Sequence, residues 1–184
     1  VSDLSVLPDG LPEPIDDGAA THLRGMQIAP VVLPATDGTL VDLARVPGVV
    51  VVFAFPRTGR PGEPPLVDDW EMIPGARGCT PQTCSFRDLH AEFLELGAQV
   101  YGLSTQDPDY QHEMVERLHV PFPVLSDARL EFAEAMRLPT MVVADQTLLK
   151  RLAWIARDGV IQRVFYPVFP PDRNADVVLT ALRA

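Results

Sequence analysis

The chain has 184 residues, 47% of them apolar and 22% charged, which favours a single domain with a substantial core. Its formal net charge of −10 argues against nucleic acid and anionic membranes as partners, because both select basic patches. Two cysteines are too few for a secreted disulfide scaffold, so a cytoplasmic protein with reduced thiols is expected.

In chain order, residues 1–10 lack a basic stretch followed by an apolar one, so no signal peptide is read there. Residues 1–24 carry Pro8, Pro12, Pro14 and Asp16-Asp17-Gly18 with no sustained periodicity, and are read as an extended arm before a domain spanning 25–184. Residues 27–34 read as a first strand, with a turn at Thr36-Asp37-Gly38-Thr39. Residues 49–55 form an apolar run without alternation, as a strand buried on both faces would; the run is too short to span a bilayer. Residues 56–78 hold Pro56, Pro61, Pro64, Pro65 and Pro74 together with four glycines, an unusually long loop that Trp70 and Ile73 would pin to the body.

Phe86, Leu89, Phe93 and Leu96 then recur as one stripe of a helix that Gly97 ends. Residues 98–103 read as a strand, 108–118 as a helix capped by Asp107, 121–125 as a short extended piece and 128–137 as a helix. Residues 148–156 and 160–166 flank Arg157-Asp158-Gly159, a hairpin signal, and a helix over 174–182 closes the chain. Strands that alternate with helices and end in a hairpin predict an α/β layered domain with a mixed sheet.

Both cysteines fall where the Pro/Gly-rich loop gives way to the helix, within Gly78-Cys79-Thr80-Pro81-Gln82-Thr83-Cys84. A helix N-terminus offers unpaired N–H groups and partial positive charge, and a cysteine there tends towards the thiolate, the nucleophilic form. Were one helix to run through both cysteines, their Cα atoms would stand about 8.6 Å apart, whereas a disulfide needs less than about 7 Å. Pro81 disfavours helix at Thr80, so Thr80 as the cap, with Cys79 just outside the helix, stays open.

The pattern Gly78-Cys79-Thr80-x-x-x-Cys84-x-Phe86-Arg87-Asp88 resembles the peroxiredoxins, specifically the bacterioferritin-comigratory or Q branch. The resemblance extends to Ala29-Pro30, Leu33-Pro34 and Asp37-Gly38, to residues 50–56, to residues 96–104 and to residues 121–127. It implies a thioredoxin-like fold, a central mixed sheet flanked by helices, here with residues 56–78 inserted before the active-site helix. It implies a thiol peroxidase without metal, haem or flavin. Cys79 would be the peroxidatic cysteine, Cys84 the resolving one in an intramolecular disulfide, and Arg151 the active-site arginine; Arg77, two residues from Cys79, is a second candidate. A peroxide would be the substrate and a thioredoxin-like dithiol the reductant, in a monomer or homodimer. Two departures stand out: Ala76 occupies the position of the family's threonine, and the family's proline would be Pro56, far from Cys79 with the Pro-rich segment inserted between them; Thr58, two residues after Pro56, could return to the site if the insertion loops out. A dithiol–disulfide oxidoreductase and a redox sensor or binding module are the alternative readings. Cys-x₄-Cys spacing disfavours the first.

Overall fold

The computed structural model describes residues 3–184. Five strands make the central sheet in the order β5 (Val124–Ser126), β4 (Ala98–Ser104), β3 (Val49–Ala54), β8 (Leu152–Arg157), β9 (Val160–Phe165). β3 runs parallel to β4, and β4 to β5, whereas β8 is antiparallel to both β3 and β9, so the sheet is mixed as expected. Two small hairpins stand apart from it, β1 (Val32–Pro34) with β2 (Leu40–Asp42), and β6 (Thr140–Val143) with β7 (Gln146–Leu149). The helices are α1 (Cys79–Asp88), α2 (His90–Glu95), α3 (Pro108–Leu118), α4 (Glu131–Met136) and α5 (Asn174–Arg183).

The unalternating run of β3 is explained by its central place. Val51, Phe53 and the following Phe55 point to a core shared with Phe86, Phe93, Met114, Val178 and Leu179, while Val50, Val52 and Ala54 enter a second core with Leu103, Phe132 and Trp154. The first core seats α1 on the sheet. The Phe86 ring stacks on Phe53 with centroids 4.2 Å apart and planes 6° from parallel, and Phe122 meets Phe53 edge-on at 5.7 Å. Gly102 of β4 makes room for this stack, because a Cβ there would lie 3.2 Å from Phe53 Cζ and 3.1 Å from a Val124 methyl. Loss of the Phe86 ring would cost about 3–5 kcal/mol and unseat α1.

Several boundaries follow the local chemistry. Asp107 accepts a hydrogen bond from Tyr110 N at 2.8 Å and starts α3 at Pro108. Asp158 and Gly159, both at positive φ, make the two-residue turn between β8 and β9. Four expectations need correction. The first strand, expected over 27–34, is only β1, with Gln27 making an isolated bridge to Val160. The stripe from Phe86 to Leu96 is two helices broken at Leu89, and Leu96 is exposed. The helix expected over 128–137 is only α4, because Leu130 takes a left-handed conformation and the Asp127 carboxylate caps the N–H groups of Phe132 and Ala133 instead. The strand expected over 148–156 is split. Its first part is β7, which turns back on β6 through Ala144 and Asp145, both at positive φ, and the chain re-enters the central sheet only at Leu152. Arg151 lies in that break.

The insertion is pinned as expected: Trp70 and Ala76 are buried against Val143 and Leu148, with Ile73 packed alongside. Residues 3–20 contain neither helix nor strand, and a 3-10 turn at Thr21–Leu23 then ties the chain into the second core through Ala20 and Leu23.

Candidate active site

Cys79 is the first residue of α1, with Gly78 as N-cap at φ 106°. This settles the question left open by Pro81. Gln82 N donates to the Gly78 carbonyl at 3.0 Å, and the Thr83 hydroxyl to the Cys79 carbonyl at 2.9 Å, so the helix is closed through Cys79 and continues past Cys84. An i, i+5 pair on one helix has Cα atoms about 8.6 Å apart, beyond disulfide reach. Both cysteines are free thiols.

The break between β7 and β8 aims Arg151 beneath the first turn of α1. Its Nη2 stands 3.3 Å from Cys79 Sγ and also reaches the carbonyls of Gly75 (3.1 Å), Ala76 (3.2 Å) and Arg77 (3.1 Å). Its Nη1 makes a short hydrogen bond to Gln82 Oε1, and Gln82 Nε2 donates onward to Asn174 Oδ1 at 2.8 Å. Arg151 is 3% exposed, and among the described residues no carboxylate lies within 4.0 Å of it. A buried cation without an anionic partner is costly. Negative charge on Cys79 Sγ would supply that partner, and the N–H groups of the α1 terminus favour the same charge.

Cys79 is 3% exposed and stands in the wall of a cavity of about 680 Å³. The insertion provides most of this cavity, including Arg57, Thr58 and Trp70, while Tyr110 of α3 and Leu4 of the arm close other sides. Arg60 lies over the Tyr110 ring at 4.0 Å from the centroid and Arg57 at 5.1 Å, cation–π contacts that hold the insertion against α3. Thr58 thus returns to the cavity that holds Cys79. Its hydroxyl, however, donates to Gln106 Oε1 at 3.1 Å, and its N–H reaches the same oxygen at 3.0 Å. The Ala76 carbonyl, 3.7 Å from Cys79 Sγ, accepts from the thiol.

Cys84 sits differently. It is half-buried, and burial pushes its thiol above the ordinary range, with the Arg87 guanidinium pulling the other way. Arg77 lines the same cavity, but its guanidinium is spent on the carbonyls of Asp3 and Val6, and no hydrogen bond joins it to Cys79, whereas its own carbonyl accepts from Arg151. Gln82, Asn174 and the carbonyls of residues 75–77 were not singled out from the sequence. Gln82 carries a faint signal, since it stands one helical turn after Cys79 and faces the same way.

The Redoxin family model matches residues 23–180. A chloroplastic peroxiredoxin Q of Populus jackii is 28% identical over 150 residues, 80% of this chain, and that of Sedum lineare is 27% identical over 88% of it. The chain spans 62% of the Populus protein's length and 78% of the Sedum protein's. The structure of peroxidoxin BcpB from Mycobacterium tuberculosis is 29% identical and superposes with a TM-score of 0.70 over 87% of this chain and 96% of its own. The bacterioferritin comigratory protein of Xanthomonas campestris, at 20% identity and a TM-score of 0.66 over 83% of this chain and 90% of its own, shares the fold. The mixed sheet, the flanking helices and the matched residues lead to one conclusion: the chain belongs to the redoxin family, and within it is similar to peroxiredoxins of the bacterioferritin-comigratory, or Q, branch.

Proposed function

We propose that this chain is a thiol-dependent peroxidase that reduces hydrogen peroxide or organic hydroperoxides through Cys79. The observation that carries the reading is the thiol at the first turn of α1, 3.3 Å from a buried guanidinium and open to a cavity. The Cys79 thiolate attacks one peroxide oxygen, the O–O bond breaks, and the departing alkoxide or hydroxide takes a proton from water. Cys79 is left as sulfenic acid. The Cys84 sulfur then displaces the hydroxyl from Cys79, which leaves with the Cys84 proton as water, and the Cys79–Cys84 disulfide forms. The first turns of α1 unwind for this step, as the intact helix holds the pair too far apart.

A thioredoxin-like dithiol returns the disulfide to two thiols by exchange. In this reading residues 25–184 are the catalytic domain and the segment before them is an arm. The free thiols suit a reducing compartment such as the cytoplasm. No helix of the described residues is long and apolar enough to cross a membrane. The chain would act as a monomer or a homodimer.

Ala76 in the threonine position, with the Thr58 hydroxyl committed to Gln106, favours the sensor reading over the oxidoreductase one as the rival. Rapid mixing of the reduced protein with peroxide, followed by peptide mapping of wild type, Cys79→Ser and Cys84→Ser, separates them. Fast oxidation that vanishes in Cys79→Ser and stops at sulfenic acid in Cys84→Ser is expected. Oxidation no faster than that of a free thiol would sink the peroxidase in favour of the sensor.

A further inference from the structure

The arm docks on the two residues directly ahead of Cys79. Arg77, 8% exposed, donates from Nη2 to the carbonyls of Asp3 (2.8 Å) and Val6 (3.1 Å), with Nε 3.5 Å from the Glu71 carboxylate. The carbonyl of the same residue accepts from Arg151 Nη2. Next to it, a Cβ built on Gly78 would lie 2.8 Å from Leu7 Cδ2 and 2.3 Å from Pro171 Cγ, so the helix cap is clasped between the arm and the segment before α5. Leu4 reaches the wall of the Cys79 cavity.

We infer that Arg77 is a positioning residue, through which the N-terminal arm holds the first turn of α1 in its peroxide-reactive form and restrains disulfide formation. The inference rests on the roles proposed for Cys79 and Cys84. For the two sulfurs to meet, the first turn must unwind, which draws Gly78 off Leu7 and the Arg77 carbonyl off Arg151. The docked arm and the unwound turn therefore compete, and by reciprocity the disulfide form holds the arm less tightly. A sulfenic acid kept waiting meets a second peroxide, which transfers an oxygen to it and leaves as alcohol or water, giving sulfinic acid. The arm thus sets the balance between turnover and overoxidation.

The test uses the full chain as wild type, Arg77→Ala, Leu7→Ala and Arg77→Lys. A pulse of hydrogen peroxide forms the sulfenic acid, and its conversion to disulfide is timed separately from its formation. Arg77→Ala and Leu7→Ala should speed conversion by about fivefold to tenfold, the worth of one or two hydrogen bonds or a small apolar contact. The peroxide concentration that gives half-maximal sulfinic acid should rise by a similar factor, and Arg77→Lys should recover much of the wild-type behaviour. In wild type, a leucine-directed protease should cut the arm faster in the disulfide form than in the reduced form, a readout that needs no variant. Unchanged or slower conversion in the two alanine variants, or equal cutting in both redox states, overturns the inference while leaving the peroxidase intact. Failure of wild-type Cys79 to react with peroxide at all would overturn both.

Discussion

The first turn of α1 and the turn that follows it carry the same side chain, a thiol, in opposite settings. Cys79 faces a cavity, with the Arg151 guanidinium beside its sulfur and the helix N-terminus around it. Cys84 is half-buried on the same helix, and burial holds its thiol protonated beyond the usual range. In the proposed mechanism, five residues of helix separate the thiol that attacks peroxide from the one that resolves it. Position on the helix and contact with Arg151 make the difference, because the side chains are chemically identical.

The strongest way to break this comparison is to exchange the roles. Cys79→Ser should lower peroxide consumption to the uncatalysed level, a loss of about a thousandfold or more, because no second group can take over the attack. Cys84→Ser should leave single-turnover oxidation in place and abolish turnover with a dithiol donor, with sulfenic acid detected by mass. Arg151→Met keeps the volume but removes the cation, and should slow oxidation about a hundredfold, the worth of a charge-assisted hydrogen bond. Gln82→Ala frees the Nη1 end of Arg151 and breaks the link to Asn174, and should cost about tenfold. A Gln82→Ala loss as large as that of Arg151→Met would mean that Gln82 itself touches the peroxide.

The burial of Cys84 should also show itself through pH. A thiol whose pKa is raised in the folded protein stays neutral further into alkali, so the reactive fraction of Cys84 grows about tenfold per pH unit until that raised value is reached. Conversion of sulfenic acid to disulfide should therefore keep accelerating from neutral pH to beyond the ordinary thiol range. A plateau near neutrality, followed by stopped-flow fluorescence, would show that unwinding of α1 and not Cys84 ionisation limits the step.

Much of this site was legible because it is local. The loop-to-helix junction, the cysteine spacing and the Asp107 cap are all written within a few residues of one another. Arg151 was legible only through the family resemblance, since the residues around it read as one unbroken strand. What hid the break was the β6–β7 turn, where Ala144 and Asp145 adopt positive φ without a glycine to announce it. Gln82 was missed for a related reason: a polar residue on an amphipathic helix reads as solvent-facing, and only the approach of Arg151 and Asn174 from 69 and 92 positions away explains its burial. The return of Thr58 to the cavity could be raised from the sequence as one possibility, but its hydrogen bonds to Gln106 depend on a strand end 48 residues on.

The smallest expected effect concerns the far end of the arm, where Asp17 accepts from Lys150 Nζ and from the Tyr166 hydroxyl, each at 2.7 Å. Lys150 is the only lysine of the chain and directly precedes Arg151, so this clasp anchors the arm beside Arg151. The hydrogen bond from Lys150, followed by that from Tyr166, holds the Asp17 carboxyl well below the usual carboxylate range. A carboxylate depressed by folding contributes stability that is present above its unfolded pKa of about 3.9 and is lost as the pH falls below it. The pair is more than a third exposed, so solvent screens it and the contribution stays below about 1 kcal/mol. Asp17→Asn should accordingly lower the melting temperature by a degree or two at neutral pH, with the difference from wild type shrinking as the pH is taken below 4. If the first-turn contacts at Arg77 and Gly78 hold the arm by themselves, this variant will leave the rate of disulfide formation unchanged. If the Asp17 clasp shares the load, that rate will rise in Asp17→Asn as it does in Arg77→Ala, by a smaller factor.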